Sequence, residues 1–153
     1  MRDLSDIPSL ADIGLGAYPP YLMNRIMGRY NASLRAEMAG LGLSIPKMRA
    51  LAVLSTVESA LVGELADLAI AEQSTMSRAL DGLAAEGLVA RAPDAADSRA
   101  TRVSITEAGR AAFARLWPHM AAATEAMFAG IEAQERAAFV RTLGRILGNV
   151  HPV

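Results

Sequence analysis

Apolar side chains recur along most of the chain at intervals of three and four, the spacing of one face of an α-helix. Leu22, Ile26, Tyr30, Leu34 and Met38 mark a helix from about Tyr21 to Ala39, entered after Pro19-Pro20 and stopped at Gly40-Leu41-Gly42. Ser44 is placed to cap a second helix, with Pro46 in its first turn and Met48, Leu51, Ala52 and Leu54 following. Leu61, Leu65, Leu68 and Ala69 form the stripe of a third, from about Leu61 to Ile70. A fourth begins polar at Gln73 and sets Met76, Ala79, Leu80 and Leu83 on one side. From Glu107 a long helix carries Phe113, Leu116, Trp117, Met120, Met127, Phe128 and Ile131. A last helix, from about Ala133 to Val150, carries Phe139, Leu143, Ile146 and Leu147.

One region breaks this rhythm. After the helix stop at Glu86-Gly87, Leu88 to Arg91 reads as a short strand, Pro93 to Arg99 as a loop and Thr101 to Ile105 as a second strand. Val103 and Ile105 alternate there with Arg102 and Ser104, so one face is buried and one exposed. Helix, turn, helix, strand, loop, strand predicts a mostly α fold with a small β-hairpin wing. The second helix of such a unit can lie in the major groove of DNA.

The residues of this region resemble the MarR family of bacterial transcription regulators. Thr75, Ser77, Arg78, Asp81, Leu83, Gly87, Leu88, Val89 and Arg91 fit the family's helix-and-strand pattern. Asp97, Arg99, Thr106 and Gly109 fit its wing pattern, with Ile105 where leucine is usual. The resemblance implies one domain over residues 17–153, with a winged helix-turn-helix at about 44–109 and dimerisation helices at about 17–40 and 110–150. It implies a homodimer whose terminal helices interlace, and double-stranded DNA as partner. It also implies an effector pocket lined by the first, second and fifth helices. The residues at hand for a small aromatic effector are Tyr21, Met48 and Trp117, with Arg49 for an anionic group; ordinary core packing is the competing reading.

Three positions depart from the family. Ala69-Ile70-Ala71-Glu72 stands where leucine-glycine-leucine-serine is usual, so the turn is expected to be tighter or more helical, with Glu72 meeting the helix dipole. Ser98-Arg99 replaces a commonly doubled arginine, which predicts weaker wing affinity. Leu61 occupies the usual cap of the third helix, leaving Ser59 as the substitute.

On the fourth helix, Ser74, Arg78 and Asp81 point away from the buried stripe, Thr75 and Ser77 flank them, and Gln73 lies in the first turn. Glutamine can bond adenine in two places and arginine guanine, while serine and threonine suit bases or phosphate. Arg99 at the loop's end is placed to enter a minor groove, with Asp97 holding it. With Arg102 on the wing's outer face, the expected DNA-binding set is Gln73, Ser74, Thr75, Ser77, Arg78, Arg99 and Arg102. Asp81 is expected to pair with Arg78; reading a cytosine amino group is the alternative. The plain competitors are a solvated helix face and a mobile loop tip.

Composition trims the picture. At 153 residues with 52% apolar side chains the chain fits one domain, with apolar surface to spare for a second copy. Fifteen basic residues stand against sixteen acidic ones, a net charge of −1, and Lys47 is the one lysine. DNA affinity must therefore come from placed arginines rather than from a basic field. The near-neutral charge keeps a winged-helix protein-interaction module open as the alternative. Cysteine is missing, which excludes thiol redox sensing. His119 and His151 have no ligand cluster around them, so no metal or cofactor is expected, and no catalytic set stands out. Neither a signal peptide nor an apolar run of membrane length is present, and a cytoplasmic protein is expected. Residues 1–16 read as a flexible arm, or as decoration of the dimer. Pro118 is expected to kink the long helix, statically or as a hinge between dimer arm and DNA lobe.

Overall fold

The computed structural model describes residues 7–150. α1 (Leu10–Ile13) is a single helical turn closed by reciprocal bonds: the Ser9 hydroxyl accepts from the Asp12 amide, and the Asp12 carboxylate accepts from the Ser9 amide. Part of the expected arm thus carries helix, while residues 1–6 lie outside the described residues. A 3₁₀ turn at Leu15–Ala17 leads into α2 (Pro19–Ser33).

The single helix expected from Tyr21 to Ala39 is two. α2 ends at Leu34, and α3 (Arg35–Gly40) continues from it. Leu34, at the junction with φ −95° and ψ −4°, departs from regular helix geometry and is buried in the core. Gly42, at φ 67°, closes α3: its amide bonds to Ala39 and that of Leu43 to Met38.

α4 (Ile45–Val57) starts as anticipated, with Ser44 accepting from the Lys47 amide and Pro46 in the first turn. Met48, Ala50, Leu51 and Leu54 bury it on several sides, and it touches two later helices, the long helix and the sheet. It is the central post of the core.

β1 (Ser59–Leu61) follows, and no periodicity announced it. Ser59 is therefore a strand residue, not a cap. α5 (Val62–Leu68) is capped from within instead, the Glu64 carboxylate accepting from the Leu61 amide at 2.9 Å. Its buried side chains are Leu65 and Ala66; Leu68, expected in the stripe, is 58% exposed because the helix turns that face outward.

After α6 (Gln73–Ala85), β2 (Val89–Pro93) and β3 (Thr101–Ile105) form the hairpin, with β1 on the far side of β3 in the order β1-β3-β2. The wing is thus a three-stranded antiparallel sheet. Val103 is fully buried between Ala60 and Arg91 in the register.

α7 (Glu107–Met127) is pinned where it begins. Thr106 caps it by accepting from the Gly109 amide, donates its hydroxyl to the Gly87 carbonyl at 2.7 Å, and donates its amide to Leu88 at 3.1 Å. A side chain at Gly109 would strike the Leu88 carbonyl, so only glycine lets α7 sit this close. α7 runs unbroken through Pro118.

α8 (Ala133–Asn149) returns along the end of α7. Phe128 meets Phe139 edge-on, and Arg136 covers the Phe128 ring while pairing with Glu125 at 2.8 Å. Not one residue of α8 is buried, and Phe139, Val140, Ile146 and Leu147 lie exposed. α2 likewise shows Leu22, Ile26 and Met27 to solvent. No helix among the described residues is long and apolar enough to cross a membrane.

Candidate nucleic-acid interface

α6 presents the pattern its sequence dictates. Met76, Ala79, Leu80 and Leu83 are buried, and Gln73, Ser74, Ser77, Arg78 and Asp81 are exposed, with Thr75 half-buried. Glu72 occupies the cap position without a side-chain bond to the helix, so the first-turn amides lack a side-chain cap. An anion placed there would meet free N–H groups and the positive end of the dipole.

Asp81 does not pair with Arg78. Its carboxylate meets Arg91 of β2 at 2.7 Å, and the same guanidinium reaches the Ser77 carbonyl at 3.4 Å. The strand that follows α6 runs back beneath it, so a partner ten residues on lies nearer than one three residues before. Two consequences follow: the negative charge on the exposed face is compensated, and α6 is tied to the wing. Arg78 forms no ion pair among the described residues and keeps its donors free.

In the wing, Asp94 organises the loop, a role the sequence reading missed. Its carboxylate accepts from the amides of Ala96 and Asp97 and from Arg102 Nε at 2.7 Å, and its side chain is 9% exposed. The Arg102 bond, helped by the two amides, holds the Asp94 carboxyl below the ordinary aspartate value. Arg102 is therefore engaged inside the wing, with a second reach to Ser59 at 3.4 Å, rather than free on its outer face. Arg99 differs: its side chain is 91% exposed and steadied only by Asp97 at 3.2 Å.

The turn between α5 and α6 is neither tighter nor more helical than a glycine turn. The Ile70 amide bonds to Asp67 and that of Ala71 to Ala66, the pair of bonds that closes a helix through a left-handed residue. Gly87 closes α6 the same way, at φ 72°. Here the left-handed residue is Ile70 at φ 54°, a β-branched side chain, at a cost of about 1–2 kcal/mol. Arg49 Nη1, from α4, lies 3.3 Å from the Ile70 carbonyl and 3.4 Å from that of Ala69.

The four residues proposed for an effector are not brought together. Met48 is core, Arg49 serves the turn, Trp117 is exposed beside Phe113, and the Tyr21 hydroxyl accepts from Arg25. A cavity of about 650 Å³ opens elsewhere, between α2, α3 and α7, lined by Ile26, Arg29, Tyr30, Glu37, His119 and Met127 among others. His119 Nδ1 faces Glu37 across it at 3.6 Å. Among the described residues no cluster of His, Asp or Glu could hold a metal ion.

Comparison with known proteins places this geometry. A sequence model of the MarR family matches residues 41–100. A MarR-family transcriptional regulator from Silicibacter pomeroyi is 57% identical, over 95% of this chain and 99% of its own, with a TM-score of 0.90. A second MarR-family regulator from that organism is 32% identical over 90% and 93% of the two chains, with a TM-score of 0.82. The helix-turn-helix transcriptional repressor IacR of Pseudomonas putida is 33% identical over 92 residues. That match takes in 60% of this chain and 55% of the repressor.

Proposed function

The chain belongs to the MarR family of transcription regulators, and from that premise we propose that it is a homodimeric repressor of a pseudo-palindromic operator. α6 enters the major groove with Gln73, Ser74, Thr75, Ser77 and Arg78, and Arg99 enters the neighbouring minor groove. Two-fold symmetry spaces the two α6 helices by roughly 10 bp or a multiple of it. The observation that carries this reading is the exposed face of α6: Arg78 is free, and the charge of Asp81 is compensated by Arg91. The exposed apolar faces of α2 and α8 support a second copy as their cover.

The test uses a duplex selected by the wild-type protein from a random-sequence pool. Arg78→Ala should lose about 1–3 kcal/mol of affinity for it while staying folded, since Arg78 is outside the core. Unchanged affinity would take α6 out of the groove.

A small effector that releases DNA belongs to the same proposal. The cavity between α2, α3 and α7 supports it, offering Arg29, His119 and Tyr30 beside apolar walls. Such a ligand acts only if it binds the DNA-free arrangement better than the bound one. Titrating phenolic acids against duplex binding tests this, and binding without release would refute a regulatory role.

A further inference from the structure

The direction in which α6 leaves the turn at Ala69–Glu72 decides which of its side chains reach a groove. That turn has an unusual centre. Gly42 and Gly87 supply the left-handed residue in two other helix closures of this chain, at φ 67° and 72°. Ile70 does so here, at φ 54° with its side chain 79% exposed, so no burial offsets the strain. A left-handed β-branched residue persists only where its surroundings over-determine it.

Local bonds contribute: the amides of Ile70 and Ala71 close back on Asp67 and Ala66. Gly87 has the same two bonds, so they do not compensate what isoleucine adds. The additional element is Arg49. It sits on α4, the helix that packs against both α5 and α6, and its Nη1 points at the carbonyls of Ala69 and Ile70, just past the end of α5. The Ala69 carbonyl stands at the cap of α5, the negative end of its dipole, which a guanidinium complements; that of Ile70 lies one residue beyond. Both bonds are long, at 3.4 and 3.3 Å, so each is weak alone; their effect is to bridge two successive peptide units on either side of the strained residue.

We propose that Arg49 is a positioning residue for DNA recognition: it holds the left-handed turn at Ile70 and so fixes the angle at which α6 meets the duplex. The inference rests on the DNA-binding reading above. It assigns to Arg49 no contact with DNA or effector. Base reading by α6 depends on that angle, whereas loose contact with phosphates does not, so losing Arg49 must erode specificity more than general affinity.

The experiment is a double-mutant cycle between Arg49→Ala and Ile70→Gly. Binding is measured to a duplex selected by the wild-type protein and to a scrambled duplex at the same salt. Arg49→Ala should weaken binding to the selected duplex about tenfold more than to the scrambled one, with Arg49→Lys intermediate. In the Ile70→Gly background, where glycine adopts the turn unaided, the same substitution should cost less than about threefold. Amide hydrogen exchange at Ile70 and Ala71 in the free protein gives a readout independent of DNA. It should rise in Arg49→Ala and return to the wild-type rate when Gly replaces Ile70. An equal loss on both duplexes, or a loss undiminished by Ile70→Gly, overturns the proposal. Failure of the wild-type protein to select any duplex refutes the DNA-binding reading instead, and the exchange measurement still decides whether Arg49 holds the turn.

Discussion

Gly109→Ala should destabilise the protein although alanine is the better helix former. The new Cβ would meet two groups, Ile105 Cγ1 at 2.9 Å and the Leu88 carbonyl oxygen closer still. The isoleucine can move. The carbonyl cannot, because it accepts the Thr106 amide at 3.1 Å and belongs to the turn whose Leu88 amide closes α6 on Leu83 at 2.9 Å. Overpacking of this kind costs about 1–3 kcal/mol. Pushing α7 away also lengthens the Thr106 bond, worth about 1 kcal/mol. Against these stands the helix propensity of alanine over glycine, about 1 kcal/mol. The steric terms win, leaving roughly 1–3 kcal/mol of destabilisation. For a chain of this size that lowers Tm by roughly 2–4 °C per kcal/mol. Thermal denaturation followed by circular dichroism, at one fixed protein concentration, reads it. Gly63→Ala is the control, since nothing lies within 4 Å of a Cβ built there. A Tm for Gly109→Ala at or above wild type would refute the argument that close approach, rather than conformational freedom, demands this glycine.

Three further outcomes are expected. Arg99→Ala should weaken duplex binding and reduce its salt slope by about 1, as for one lost phosphate-type contact; an unaltered slope and affinity would leave the loop tip solvated and idle. The folded Asp94 carboxyl lies below its ordinary value of 3.8, so its contribution to the wing is complete above that pH and lost as pH falls through the folded value. Proteolysis at the wing loop should therefore rise below about pH 4 in wild type, and acid-independent cleavage would contradict the role given to Asp94. Ile146→Asp places a carboxylate on the exposed α8 face and should yield monomer or insoluble protein; light scattering showing an unchanged dimer would remove α8 from the interface.

What the sequence disclosed depended on the length over which a pattern repeats. α6 carries its apolar residues over several turns and its buried face was legible one residue at a time, whereas of the stripe read along α7 only Leu116 is buried and Trp117 and Met127 are exposed. β1 spans three residues, too few to show alternation, and it becomes a strand only because β3 lies beside it. The break at Leu34 was hidden for a related reason: the spacing from Tyr30 through Leu34 to Met38 continues across it, so the pattern does not mark it. At the site, exposure of Ser74, Ser77 and Arg78 followed from helical geometry. The partner of Asp81 did not, because Arg91 approaches from a strand whose path no local pattern encodes. Asp94 resembled any loop aspartate, and its role rests on Arg102 arriving across the hairpin. Arg49 and Ile70 were both noticed, one as an effector ligand and one as a departure in the turn. Their relation needed the fold.

The order of strands has a consequence during synthesis. β1 precedes both helices of the DNA-reading motif, and its partner β3 follows them, so a growing chain finishes α5 and α6 while β1 and β2 still lack the strand that joins them. A chain that stopped at Ala100, where the matched family region ends, would hold α4, β1, α5, α6 and β2 with no antiparallel neighbour for either strand. Ala60 and Val89 would then sit on open edges that invite pairing with another nascent chain. Delivery of the five residues from Thr101 to Ile105 pairs both strands at once, and the same step brings Arg102 to Asp94.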